Sequence, residues 1–354
     1  MRSFHVGSVQ IPYVKMLRGK RDFIKQTCKP LPIQCADGAK KEKCMRAFWK
    51  IKPQIEPLEK WESNCWIQVT SPSEEDADYL INELQMPDYF LSDIADVDER
   101  SRVETEDGWT MIILRVPYMN PTKEASRSPY TTVPLGIILK KDICITVCYF
   151  ITKMMNDFLG HYQRKGKGFT DSVDMTFRLF LSSSVWYLKF LKKINYEIDE
   201  AKRDLDKSID NEDLINLSSL QNSLTYFMNS IRGNETLLAQ VKFKLPVDEL
   251  DAELIEDVNI EMKQARESAY VYSNILESAV NTYASVINNN MNTVMRLMTS
   301  VSIVLMFPTL IASLYGMNLK NGLEDNPLGF YEVLAFSILV SGAIIWLFRR
   351  RRWL

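Results

Sequence analysis

Two long apolar runs stand back to back near the C-terminal end of the sequence, and they decide what the chain can fold into. Leu297–Tyr315 reads LMTSVSIVLMFPTLIASLY, 19 residues without a charge. Leu328–Phe348 reads LGFYEVLAFSILVSGAIIWLF and carries only Glu332, near its start. A helix rises 1.5 Å per residue, so each run reaches roughly the 30 Å thickness of a bilayer's hydrocarbon layer. Both are expected to be transmembrane helices, 297–315 and 328–348. The competing reading is a pair of buried helices in a soluble domain. Arg349, Arg350, Arg351 and Arg352 follow the second run directly. Basic flanks stay in the cytoplasm, so 349–354 is expected to be a cytoplasmic tail. Two spans return the chain to its starting side, which places the large N-terminal region in the cytoplasm as well. The outer loop, 316–327, is short and holds Lys320, Glu324 and Asp325. No secretory leader is visible at the start. The expected location is the cell's inner (plasma) membrane, with two spans and the lipid bilayer as a partner.

The 354 residues suggest two units, and the net charge of −2 gives no general reason to bind nucleic acid. The charge is unevenly placed. Residues 1–44 hold ten Lys/Arg and three Asp/Glu, which is +7, and the remainder holds 33 and 42, which is −9. The segment 1–44 therefore reads as a basic extension, disordered or artefactual, ahead of a folded body. The six cysteines, Cys28, Cys35, Cys44, Cys65, Cys144 and Cys148, form no CxxC pair. The spacing of Cys28, Cys35 and Cys44 matches no common zinc pattern. Cys144 and Cys148 share one face of an expected strand and read as buried free thiols. With two histidines, no phosphate-cradling loop and no nucleophile beside a base, the sequence makes a poor enzyme.

Residues 45–165 are expected to form an α/β domain. Trp66–Val69, Thr110–Met119, Thr131–Leu139 and Ile143–Phe150 are β-branched or apolar runs. In Ser71-Pro72-Ser73-Glu74, Ser71 is expected to cap a helix that starts at Pro72. Residues 166–245 read as charged helices. Leu245-Pro246 breaks that pattern, and Asp248 and Glu249 suit a new helix N-terminus. From Val247 to Phe307 there is neither Gly nor Pro. One continuous helix is therefore expected, a stalk over 247–296 that becomes the first span. Pro308 falls inside that span, where neighbouring helices tolerate it.

Along the lower stalk and first span, Asn288, Asn292, Met295, Thr299, Ser302, Met306, Thr309 and Ser313 recur at steps of 4 and 3. Those steps keep them on one helix face. The face is polar or thioether-bearing and never charged. Two spans cannot enclose a path, so a ring of chains turning this face inward would make a narrow polar tube. Packing of small residues between membrane helices is the alternative use of such a stripe.

Immediately after the first span comes Tyr315-Gly316-Met317-Asn318, and the second span is followed by the basic run, Trp353 and Leu354. This combination resembles the CorA family of magnesium and cobalt channels. The similarity runs upstream through Asn292, Met295, Met306 and Thr309, and more weakly over about residues 45–354. The resemblance implies a funnel-shaped homopentamer: an α+β cytoplasmic domain, a long stalk helix and two transmembrane helices. It implies a selectivity filter at Gly316, Met317 and Asn318. It also implies pore-lining roles for Asn292, Met295, Met298, Met306, Thr309 and Ser313, and a regulatory Mg2+ bound between Asp93 and Asp257 across subunits. Ser92 stands where some members carry an acid, which changes the composition of that cluster.

Mg2+ gives up its water reluctantly, so its pore should offer uncharged oxygens to the hydrated ion. A membrane potential of about 100 mV supplies about 4.6 kcal/mol to a divalent ion, which makes ATP unnecessary. The expected function is passive uptake of Mg2+, with Co2+ or Ni2+ as further candidates, gated by cytoplasmic Mg2+. A zinc transporter of the same superfamily and a non-conducting membrane-anchored sensor are the alternatives. Met317 argues against the first, because zinc members tend to replace that Met.

Overall fold

The computed structural model describes residues 45–121, 128–207, 211–245, 252–317 and 328–351. Cys28, Cys35, Cys44, Pro246, Asp248, Glu249, Asn318, the charges of the outer loop and the last three residues lie outside the described residues. The chain divides into two compact units. One contains the described residues up to Ile198 with Ser218–Ser273, and the other Asp199–Leu217 with Asn274 onward.

The first unit is built on a seven-stranded sheet. Its strands are β1 (Met45–Lys50), β2 (Glu56–Leu58), β3 (Cys65–Thr70), β4 (Arg102–Glu106), β5 (Trp109–Met119), β6 (Tyr130–Lys140) and β7 (Ile143–Cys148). The spatial order is β2-β1-β3-β7-β6-β5-β4. Only β3 and β7 pair in parallel, with Trp66 opposite Cys144, and the other pairs are antiparallel. The apolar runs mark β3, β5, β6 and β7 because these strands are buried on both faces. The short, exposed edges β2 and β4 carry no such run, and the partly buried β1 is equally quiet in sequence.

One face of the sheet packs under α1 (Glu74–Asp78), a π-helical turn (Tyr79–Glu83) and α2 (Tyr89–Ala95). Ile67, Val69, Leu80, Phe90, Ile94, Met111, Ile113 and Val147 form this core. The cap of α1 differs from expectation. Ser73 is the N-cap: its Oγ accepts from the amide of Asp76, whose carboxylate accepts from the Ser73 amide at 3.0 Å. Ser71 instead takes a left-handed turn, φ 51°. Asp76 sits three residues beyond Ser73, and that spacing closes a reciprocal capping box. Gly136 on β6 lies against Ile94, and a Cβ at this position would stand 2.2 Å from Ile94 Cδ1. That close approach seats α2 flat on the sheet.

The opposite face is covered by helices α3 (Lys153–Lys165), α4 (Ser172–Lys207) and α5 (Asn211–Lys244). Thr152 caps α3 by accepting from the Met155 amide, and Gly166, φ 59°, ends it in the left-handed conformation. Trp66 donates to Thr146 Oγ1 at 2.8 Å and meets Phe158 edge-on, joining sheet to α3. Tyr130 packs between Phe190 and Phe227. Cys65, Cys144 and Cys148 are buried free thiols, and burial pushes the Cys148 thiol up to about 12.

Helix α6 (Ala252–Tyr315) is one unbroken element of 64 residues. At 1.5 Å per residue its axial rise is about 96 Å. It runs through Pro308, whose missing amide leaves the Val304 carbonyl without its helical donor. Helix α7 (Gly329–Arg350) carries Glu332 in its first turn and Arg349 and Arg350 in its last, each sign favourable to the helix dipole. The chain buries only 6% of the apolar window in each of these two helices. Core helices of a soluble domain would be covered; these expose Leu305, Leu310, Phe336, Leu339 and Trp346.

The contact at Gly136 is testable. Gly136→Val should overpack the sheet against Ile94 and lower stability by about 1–3 kcal/mol. A depressed thermal midpoint of the detergent-solubilised protein checks it, and an unshifted midpoint would show that α2 yields freely.

Candidate pore-lining face and acidic cluster

The stripe read from the sequence lies on one face of α6 and is exposed throughout. Asn288, Asn292, Met295, Met298, Thr299, Ser302, Met306, Thr309 and Ser313 are all exposed, as are Gly316 and Met317 beyond. The residues that the chain does cover in the same segment are Ser300, Ile303, Val304, Pro308, Ile311 and Tyr315. At about 100° per residue, the centre of that covered set lies roughly 160° from the centre of the stripe. On α7 the covered positions are Gly329, Val333, Ser337, Val340, Ser341, Ile344 and Phe348, again one face with small residues in it. Packing of small residues within the chain therefore uses Ser300, Ser337 and Ser341, and leaves the polar stripe unoccupied.

The hydroxyls of the stripe share one geometry. Thr299 Oγ1 donates to the Met295 carbonyl at 2.8 Å, Ser302 Oγ to Met298 at 2.9 Å, and Thr309 Oγ1 to Leu305 at 2.9 Å. Each proton is turned back onto the helix, so the oxygen lone pairs are available outward as acceptors. The same 4 and 3 spacing continues upstream through Asn274, Ser278, Asn281 and Ser285. With Glu277 and Thr282 they line a polar groove of about 450 Å³. The sequence reading stopped at Asn288, although the spacing itself would have extended it.

The two acids singled out for regulation are placed differently. Asp257 is exposed on α6, beside the buried Val258. Asp93 is half-buried on α2 and forms a 2.7 Å ion pair with Arg102 Nη2. The same guanidinium bonds Glu99 through Nη1 and reaches Glu104 through Nε at 3.4 Å. Burial holds the Asp93 carboxyl above its ordinary range, Arg102 opposes that rise, and Glu99 and Glu104 add to it. Ser92 Oγ donates to the Tyr89 carbonyl at 2.7 Å, which turns it back onto its own helix. Among the described residues of one chain, no three His, Cys, Asp or Glu side chains converge on a metal position.

Neither Arg102 nor the network beneath it stood out in the sequence. Asn234 on α5 is buried and fully paired: Oδ1 accepts from Ser101 Oγ at 2.8 Å and from the Arg115 amide at 3.1 Å. Its Nδ2 donates to the Arg115 carbonyl at 2.7 Å. The Arg115 guanidinium bonds the carbonyls of Val97, Glu99 and Thr132. Together they hold the turn that carries Glu99 and leads into Arg102.

An α/β/α unit followed by two helices with apolar segments that the chain leaves uncovered, the first of them one continuous helix of 64 residues, defines the architecture of a two-span membrane transporter. The chain belongs to the CorA-like Mg2+ transporter family, whose sequence profile matches residues 61–350. The cobalt/magnesium transport protein CorA of Methanocaldococcus jannaschii is 25% identical over 300 residues, 82% of this chain and 91% of that protein. The corresponding protein of Thermotoga maritima is 21% identical over 296 residues, 82% and 83% of the two chains. The complete structure of the M. jannaschii CorA magnesium transporter superposes with a TM-score of 0.74 at 21% identity, covering 88% of this chain and 99% of that one. Full-length CmaX gives 0.65 at 16%, covering 90% and 100%. The ZntB cytoplasmic domain of Vibrio parahaemolyticus gives 0.55 at 14%, covering 70% and 98%.

Asn234→Ala would strand the Arg115 amide, its carbonyl keeping the Tyr187 hydroxyl at 3.0 Å, at a cost of about 1–3 kcal/mol. Hydrogen exchange should rise selectively at residues 97–101, and unchanged protection there would dissociate Asn234 from the turn.

Proposed function

We propose that the chain assembles as a homopentamer that conducts Mg2+ passively through a pore lined by α6. The observation that carries this reading is the polar stripe, exposed along α6 on the side opposite the face that the chain covers itself. Between Ala279 and Ser300 no residue of α6 is buried at all, although Val286, Met291, Val294 and Leu297 are apolar. From Asn288 to Thr299 every residue is exposed; a helix so uncovered is not stable alone in water, and copies of itself are the partner that closed symmetry supplies. In a ring, the hydroxyls of Thr299, Ser302 and Thr309 would face the lumen with their acceptor lone pairs. Those oxygens suit the outward-pointing protons of a hydrated Mg2+ without stripping its water. Met295 and Met306 would be the apolar constrictions between them.

Asn318, with Gly316 and Met317, would form the filter at the outer mouth, its amide oxygen again an uncharged acceptor. The membrane potential drives the ion inward toward the cytoplasmic domain. Regulation would come from Asp93 and Asp257 of neighbouring subunits. Their like charges repel when bare, and a bound Mg2+ neutralises them and holds the interface in its closed arrangement. Falling internal Mg2+ then shifts the population toward the open arrangement. The relatives from M. jannaschii and T. maritima, both named for cobalt and magnesium transport, support the same ion class.

Two variants test the conducting path in proteoliposomes. Asn318→Ala should sharply reduce Mg2+ flux while the assembly keeps its size on gel filtration; full flux would remove the filter. Met306→Asp should place a ring of carboxylates at depth that binds a cation or takes up protons. Block or a changed ion preference is expected, and conductance like the parent's would show that this face does not meet the ion.

A further inference from the structure

We infer that Arg102 is a built-in cation that occupies Asp93 and competes with Mg2+ for it. This deepens the reading of Asp93 as a regulatory acid and rests on that reading. The guanidinium sits among three carboxylates: Asp93 on α2, Glu99 in the turn, and Glu104 on β4. Arg102 alone bonds directly to these three carboxylates, so more acid than base faces it. Arg102 Nη2 stands 2.7 Å from Asp93 Oδ2 and so holds one of the two oxygens that a metal could use. A cation approaching from a neighbouring subunit must therefore break this contact or settle for the remaining oxygen.

Several observations make the occupation persistent. Arg102 is the first residue of β4, paired with Ile113 of β5, so its backbone is fixed in the sheet. The Glu99 carbonyl is held by Arg115, and Asn234 accepts from Ser101, so the turn between them is fixed as well. The Ser92 hydroxyl is turned onto the Tyr89 carbonyl. The neighbour of Asp93 therefore adds no second acid to outbid the guanidinium. A guanidinium stays charged at every physiological pH, so this internal cation is never absent. The consequence is a regulatory acid whose response to Mg2+ is set by a competition inside one subunit.

The test is a Mg2+ titration of the full-length protein, read as the thermal midpoint in detergent and as inhibition of flux by Mg2+ at the cytoplasmic face. Arg102→Gln should lower the half-maximal Mg2+ concentration by up to about fivefold, the upper value for a partly exposed ion pair. Arg102→Lys keeps the charge and should titrate close to the parent. Asp93→Asn added to Arg102→Gln should abolish the gain. If Arg102→Gln leaves the midpoint unchanged or raises it while the parent responds to Mg2+, Arg102 is a scaffold for the acids and the competition is refuted. If neither the parent nor Arg102→Gln responds, the regulatory reading of Asp93 falls and takes this inference with it. A response in Arg102→Gln alone, removed by Asp93→Asn, supports an acid fully occupied in the parent. Should Arg102→Gln fold poorly, Arg102→Met with the same titration decides the point.

Discussion

The backbone hydrogen bonding of α6 is the constraint on which the rest of the molecule depends. The helix must satisfy its own amides in water and again in hydrocarbon, where no solvent can replace a lost bond. Its sequence meets that demand by excluding glycine throughout and admitting a single proline, Pro308. The side chains then change partners along one uninterrupted cylinder. Leu254, Val258, Met262, Ala265, Ala269 and Leu276 are buried in the upper part. Below Ala279 only Val280, Tyr283 and Ile287 are partly covered, the helix is exposed from Asn288 to Thr299, and burial resumes at Ser300. Within the apolar segment a broken helical bond would find no replacement donor in hydrocarbon.

Much of this was legible because it depends on long, strongly periodic segments. The two spans, the helix without glycine and the doubly buried strands each announce themselves by composition. The features that were not legible depend on tertiary partners. Asn234 lies within a charged, helical stretch and reads as part of a solvated face; only the sheet beneath it shows that its amide is buried. Ser71 and Ser73 both precede acids at capping distance, and the turn at Ser71 decides between them. β2 and β4 are too short and exposed to carry an alternating signal. Arg102 sits in a run of mixed charges, where the sequence cannot tell which acid it will choose. The stripe on α6 was visible as a spacing, but its separation from the chain's own packing face was not.

Full-length CorA and CmaX share the architecture with this chain, and the ZntB cytoplasmic domain shares its N-terminal part, at TM-scores from 0.55 to 0.74. Along the exposed stripe of α6 the side chains are uncharged. Hydroxyls whose protons are tied to the backbone offer a weak, acceptor-only lining. Such a lining favours an ion that arrives with its water and departs with it, since no carboxylate is there to trap it.

The polar positions on α6 recur every 3.5 residues on average from Asn274 to Ser313, whereas a straight helix repeats every 3.6. The stripe therefore falls behind by about 20° per heptad. Helices that keep such stripes facing a common axis have to wind around it, and the sense of the lag makes the winding left-handed. Pitch and the bearing of the stripe are then one variable. Loosening the coil at Asn274 would rotate Thr299 and Met306 out of register without any bond in the helix being broken.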